Sequence, residues 1–234
     1  MNPTKTNTPK KSHRLLAIAL GAVIALSPLF AQAFVPGMQT TARGATKYFS
    51  NLMPKQGDND ATMWYKQITF NDMKWYIIKD DSTSMNSGTL TLLAADNIGK
   101  TKFHEISGNY STSFLRNYLD NLTKPGGSFE KVAGAIQDVK VKGGKDDVEV
   151  DAKLYALSLA EAKSLPSDAV RKANFDWWLR SRGPWSFQGS KVVFNGQMCY
   201  GGFNVDKNYG IRPALKLKLD SISYFQPFRK FEMK

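Results

Sequence analysis

Runs rich in β-forming residues stand at both ends of residues 66–220, and helical patterning lies between them. That order limits the possible folds more than any other feature. "QITF" and "KWYII" flank the turn "NDM", and "TLTLLAAD" (89–96) follows "NSG". In "STSFLRNYLDNL" (111–122), Ser and Thr can cap a helix. Phe114, Leu115, Tyr118, Leu119 and Leu122 then fall on one face, and "KPGG" stops it. "SFEKVAGAIQDVKV" (128–141) mixes a short helix with an extended end, and "KLYALS" (153–158) reads as a strand. Ser158 can cap a helix over "LAEAKSL", with Glu161 completing a capping box. Pro166 ends it. The C-terminal third returns to short strands: "DWWLRS", "SKVVFNG", "QMCYGG" and "GIRPALKLKL". Its "LKLKL" alternates as a half-buried strand should. Strands, then helices, then strands predict a single α+β domain with short antiparallel strands and two or three helices. Its terminal strands are expected to share a sheet.

The first 33 residues read as something other than fold. Lys5, Lys10, Lys11 and Arg14 precede an apolar run (15–30) broken by Pro28, and Ala31 and Ala33 follow in an A-x-A site. A basic, apolar, small-residue order is that of a secretory signal, with cleavage between Ala33 and Phe34. A spanning helix needs about 20 apolar residues, more than this run supplies, so no permanent membrane span is expected. Residues 34–62 read as an N-terminal arm or linker, with a helical turn or two in "KYFSNLM" and a loop in "KQGDND". The domain proper is assigned to 63–222, and 223–234 to an aromatic, basic tail.

Charge and cysteine usage narrow the function classes. Removing the four basic residues of the signal from 32 leaves 28, against 20 acids, a net +8. That excess suits a glycan, an anionic envelope polymer or a surface protein as partner. The lysines are scattered, without an arginine-rich block, so nucleic acid is not expected. Cys199 is the only cysteine, so no internal disulfide and no paired-cysteine metal site can form. The core must hold the fold, and 12% aromatic residues supply it.

Taken in order, "ITFNDMKWYII", "LTLLAAD", "STSFLRNYLDN", "DWWLRSRG", "KVVFNG" and "YGIRPALKL" carry a resemblance. Together they resemble a family of bacterial exported domains of unassigned function, marked by the "WWLRS" and "GIRPAL" motifs. That family is similar to the C-type-lectin-like fold of the formylglycine-generating enzymes and of variable receptor-binding proteins. The resemblance implies a lectin-like domain, with Trp177, Trp178, Arg180, Arg212 and Pro213 as its structural motif. It implies no mechanism. The generating enzymes use two active-site cysteines, and this chain has one. Calcium-dependent lectins carry Glu-Pro-Asn or Gln-Pro-Asp, and "QPF" (226–228) lacks the acid.

Trp177 and Trp178 are adjacent on a strand and should face opposite sides. Arg180 and Arg212 sit in apolar strands, where a charge needs a partner, and Asp176 or Asp206 is the expected one. The segments between strands, 182–190 and 201–210, read as binding loops. Their candidates are Arg182, Trp185, Phe187, Gln188, Phe203, Asn204, Asp206, Lys207, Asn208 and Tyr209. Rings mixed with amides in Gly-rich loops are what recognition surfaces use. Gly183 and Pro184 should turn the chain and lift Trp185 and Phe187 outward. Catalytic patterns are not found. His104 stands alone beside Glu105 and reads as a surface or packing residue. The acids of "DDVEVD" (146–151) read as a solvated turn. No cofactor and no metal is expected. The function expected is an exported, non-catalytic binding module at the bacterial cell surface. The alternatives are a structural subunit of a surface assembly and an envelope-polymer enzyme.

Overall fold

The computed structural model describes residues 47–234. The signal segment, its boundary at Ala33 and Phe34, and the start of the arm lie outside the described residues. A short helix, α1 (Asp60–Met63), is followed by β1 (Gln67–Phe70), β2 (Met73–Ser84), β3 (Ser87–Ala94) and β4 (Gly99–Lys102). Helix α2 (Phe114–Asn121) leads to β5 (Ile136–Gln137), β6 (Val139–Val141), β7 (Val150–Ala152) and β8 (Leu154–Ala156). Two short helices follow, α3 (Leu159–Ser164) and α4 (Asp168–Arg171). The chain ends in strands: β9 (Trp177–Arg182), β10 (Gln188–Val192), β11 (Met198–Asn204), β12 (Asn208–Ile211), β13 (Pro213–Lys218), β14 (Ile222–Phe225) and β15 (Lys230–Met233). The molecule is α+β and mostly strand.

The larger sheet has the order β14-β15-β1-β2-β3-β13-β5, with β8 also paired to β13. Strands from the two ends of the domain do share it. Leu217 of β13 lies opposite Leu90 of β3, and Leu215 and Leu217 are buried while Lys216 and Lys218 are not. The "LKLKL" alternation thus turns its leucines inward. Residues 222–233, read as the end of the domain and a tail, extend this sheet. Strand β15 runs parallel to β1, with Phe231 opposite Phe70, and β14 is the edge. The arm packs on the same end at Phe49. Phe49 is buried edge-on against Tyr224, 5.3 Å away, and its N–H donates to the buried Asp80 carboxylate at 2.9 Å.

The smaller sheet, β11-β10-β9-β12-β4, carries the C-terminal motifs. Much of 201–210, read as loop, belongs to it: only 205–207 turn between β11 and β12. Helix α2 is shorter than its pattern and buries Leu115 and Leu119, whereas Phe114 and Tyr118 stay exposed. In two turns, one i, i+4 pair is the whole buried stripe. The Ser158–Glu161 capping box forms with both reciprocal bonds. Among the described residues, no helix is long and apolar enough to cross a membrane.

Candidate functional site

Strand β9 is the spine of the region. Trp177 and Trp178 point to opposite sides and both are fully buried, because β9 has a layer on each face. The Trp177 indole donates to the Arg171 carbonyl, and the Trp178 indole to that of Thr101. Trp178 stands edge-on to Tyr209 at 4.7 Å and to Phe103 at 5.5 Å. Gly189 on β10 makes room for it: a Cβ there would lie 3.1 Å from the Trp178 ring.

The two motif arginines are buried, but not with the expected acids. Arg180 grips Glu161 with both terminal nitrogens and also donates to the Lys142 and Ala156 carbonyls. Glu161 sits at the third position of α3, where its capping role aims it at β9. Arg212 pairs with no carboxylate among the described residues. Its guanidinium instead donates to four backbone carbonyls, Ala94, Ala95, Val170 and Arg171, and lies 5.0 Å from the Trp177 ring. Burial draws its pKa down to about 10, against which the Asp96 charge works, so it stays cationic at neutral pH. Of the acids expected to serve, Asp176 binds Lys191 and Asp206 lies exposed beside Lys207.

The Glu161–Arg180 pair should be visible in acid. Burial by itself would raise the Glu161 pKa, but the Arg180 hydrogen bonds and charge, with the Ser158 N–H, outweigh it. The carboxyl is held below its ordinary 4.5. The contribution is therefore complete above 4.5 and is lost as pH falls through the lower folded value, because the unfolded chain takes up the proton first. Melting temperature should drop more steeply from about pH 5 to 3 in the wild type than in Glu161→Gln. Parallel curves would show that the pair contributes nothing.

The predicted loop residues separate into two groups. Trp185 and Phe187 are exposed, at 64% and 48%, on the turn between β9 and β10. The backbone around them is pinned. The Gly183 N–H donates to the Gln188 carbonyl, Gln188 N–H to that of Trp185, Gly108 N–H to that of Ser186, and Val205 N–H to that of Phe187. The last two bonds bring the 104–108 and 205–207 turns alongside, and with them Ile106, which is 77% exposed. Arg182 lays its stem against Gly108 and borders a depression of about 190 Å³ with Asn109, Lys145 and Asp147. Gln188 is half-buried beside Gly183 and Gly202, and its side-chain oxygen has no partner among the described residues. Asn204, Lys207 and Asn208 are exposed.

Phe203 and Tyr209 are not free recognition rings. The Lys191 ammonium lies 4.1 Å from each ring centroid and 2.6 Å from the Asp176 carboxylate. Burial disfavours its charge, but the bonds to Asp176 and the Tyr209 hydroxyl outweigh that and hold its pKa above the ordinary 10.5. Nothing in the "KVVFNG" pattern marks Lys191 as buried. Only its place opposite Trp178 across the β9–β10 ladder does.

No family model, curated protein or solved structure matches this chain. The site must be argued from its own chemistry. His104 accepts from the Ile106 and Ser107 N–H groups through Nδ1 and stacks on Phe114 at 5.5 Å, which shapes its turn. Asp147, read as part of a solvated turn, is buried instead. It accepts from the N–H groups of Tyr110, Ser111, Gly143 and Val148 and from the Ser111 hydroxyl, tying two segments together. Glu149 and Asp151 are exposed beside Lys140. Cys199 is half-buried on β11.

Proposed function

We propose that the protein is an exported, non-catalytic binding module of C-type-lectin-like arrangement. It acts at the bacterial cell surface and recognises a glycan or a protein through the turn that carries Trp185 and Phe187. The observation that carries this reading is the combination of open rings and a fixed backbone. Two large aromatic side chains stand in solvent on a turn held by four backbone hydrogen bonds. Such rings give contact area at little conformational cost when their loop is already ordered. Ile106, on the neighbouring 104–108 turn, is exposed as well. The basic, apolar, small-residue order of the first 33 residues supports export.

Trp185→Ala is expected to weaken binding to bacterial envelope fractions by about 2 kcal/mol or more, since exposed tryptophans dominate such contacts. The melting temperature should hardly change. Wild-type binding by the variant, or loss of its fold, would reduce the turn to packing.

A second reading, a subunit of a surface assembly, is favoured by the opposite kind of surface. Among the described residues the edge strand β14 of the larger sheet is unpaired on one side, and Phe228, Tyr65 and Trp64 are exposed at 76%, 53% and 52% near that end. The Arg229 guanidinium links them, donating to the Tyr65 carbonyl and lying 6.0 Å from the Trp64 ring. An open edge with aromatic neighbours is a template for a second chain. A monomer at all concentrations would remove this reading.

A further inference from the structure

We propose a second binding site: a continuous cleft, lined by other residues than the Trp185 turn, that takes a linear, uncharged glycan. Three depressions of about 260, 400 and 610 Å³ lie in series. The first and second share Asn174 and Phe194, and the second and third share Lys172 and Asn195. Each is near or within the size of a small-molecule site, about 300–1,000 Å³. Joined, they suit a chain rather than a compact ligand. The cleft runs from Asn208 and Tyr209 at one end to Asn59 and Asp60 at the other.

Its lining chooses the ligand. Phe194 offers an open ring, at 58% exposure, on which the C–H face of a sugar can lie, whereas one face of Phe175 carries the Lys100 ammonium. Asn59, Asn174, Asn195 and Asn208 supply side-chain amides whose NH2 groups can donate to hydroxyls, while the oxygens of Asn59, Asn174 and Asn195 already accept from Ala61, Asn97 and Gln197. The charges present are already used. Lys172 binds Asp60, Lys100 lies 3.2 Å from the Phe175 centroid, and Asp176 holds Lys191 and the Phe194 N–H. Aspartates outnumber lysines along the cleft, Asp58, Asp60, Asp96, Asp168 and Asp176 against Lys100 and Lys172. Three of these acids are matched by cations, Asp60 by Lys172, Asp168 by Arg171 and Asp176 by Lys191, so the cleft presents little unmet charge to a polyion.

The walls are built before any ligand arrives. Asp96 accepts from the Asn174 N–H at 2.7 Å, and Asn97 donates to the Asn174 side chain and the Phe175 carbonyl at 3.0 Å each. The Ala173 N–H donates to the Phe194 carbonyl, and Arg171 Nε to that of Gly196. Gly196 has φ +90°, and a Cβ there would fall 2.1 Å from the Asp168 carbonyl oxygen. Only glycine lets this turn press so closely on α4. Because the N–H groups of Ala173, Asn174 and Phe194 are all engaged, the middle of the cleft offers a peptide strand no free ladder to extend.

The proposal stands apart from the Trp185 turn, and one experiment distinguishes them. Calorimetric titration of the protein would use cello-, chito- and malto-oligosaccharides of increasing length, with heparin and polylysine as charged competitors. At least one neutral series should bind, tighter as the chain lengthens. Phe194→Ala should weaken it about tenfold or more. Asn195→Ala should also weaken it, Trp185→Ala should not, and the Phe194→Ala melting temperature should stay near wild type. The proposal is overturned if no neutral series binds, or if affinity is independent of length. It is equally overturned if heparin or polylysine is the ligand that responds to Phe194→Ala, or if Phe194→Ala and Asn195→Ala both bind as wild type.

Discussion

Trp178→Ala is expected to cost the fold about 3–5 kcal/mol, a fall in melting temperature of about 6–20 °C for a domain of this size. The ring is fully buried between two sheet neighbours and two aromatic edges, and its indole N–H has a carbonyl partner at 3.0 Å. Truncation leaves a cavity that Gly189, lacking a side chain, does nothing to fill. It also leaves the Thr101 carbonyl without that donor and loosens Tyr209, whose ring and hydroxyl hold Lys191. Trp178→Phe should recover part of the loss, keeping the packing without the hydrogen bond. Thermal melts of the two variants beside Trp185→Ala decide the matter. If Trp178→Ala melts as wild type while Trp185→Ala unfolds, the assignment of core and surface in "DWWLRSRGPW" is reversed.

What the sequence makes legible here is local. The period-2 run of β13, the β-rich runs of β1 to β3 and the Ser158–Glu161 box all depend on residues within a few positions of one another. So does the turn at Gly183 and Pro184, which leaves Trp185 and Phe187 in solvent. The failures are those of long-range pairing. Nothing near Arg180 in the chain points to Glu161, 19 positions earlier. Glycines at 201 and 202 suggest a loop, yet both lie in β11. A Cβ at Gly202 would fall 2.0 Å from the Gln188 side-chain oxygen, so the glycine serves close strand contact. The aromatic and basic end of the chain reads as a tail because its partner, β1, begins over 150 positions away. The cleft is the extreme case. Its lining comes from segments around 58–61, 95–100, 167–176, 194–195 and 208–209, and no one of them carries a signature.

Arg212→Ala is expected to have the largest effect of any single change, about 4 kcal/mol or more. A buried ion pair can often be exchanged for apolar residues at little cost, because both charges leave together. That exchange is not open at Arg212. Its partners are backbone carbonyls of Ala94, Ala95, Val170 and Arg171, and no substitution removes them. The Arg171 carbonyl would keep the Trp177 indole as a donor, while the other three would lose the guanidinium. Each buried acceptor left unpaired costs about 1–3 kcal/mol, and the emptied volume beside Trp177 adds to it. Shape alone therefore does not rescue the site: Arg212→Met, which fills much of the space, should melt close to Arg212→Ala. Arg212→Lys keeps a charge and three donors but not the planar fork that spans β3 and the end of α4, so it should recover less than half of the loss. Since Val170 and Arg171 close α4, and Asp168 and Ala169 of the same helix line the cleft, the lysine variant should also bind neutral oligosaccharides more weakly. A wild-type melt for Arg212→Met would mean that the carbonyls find water or one another, and that the arginine does not hold these elements together.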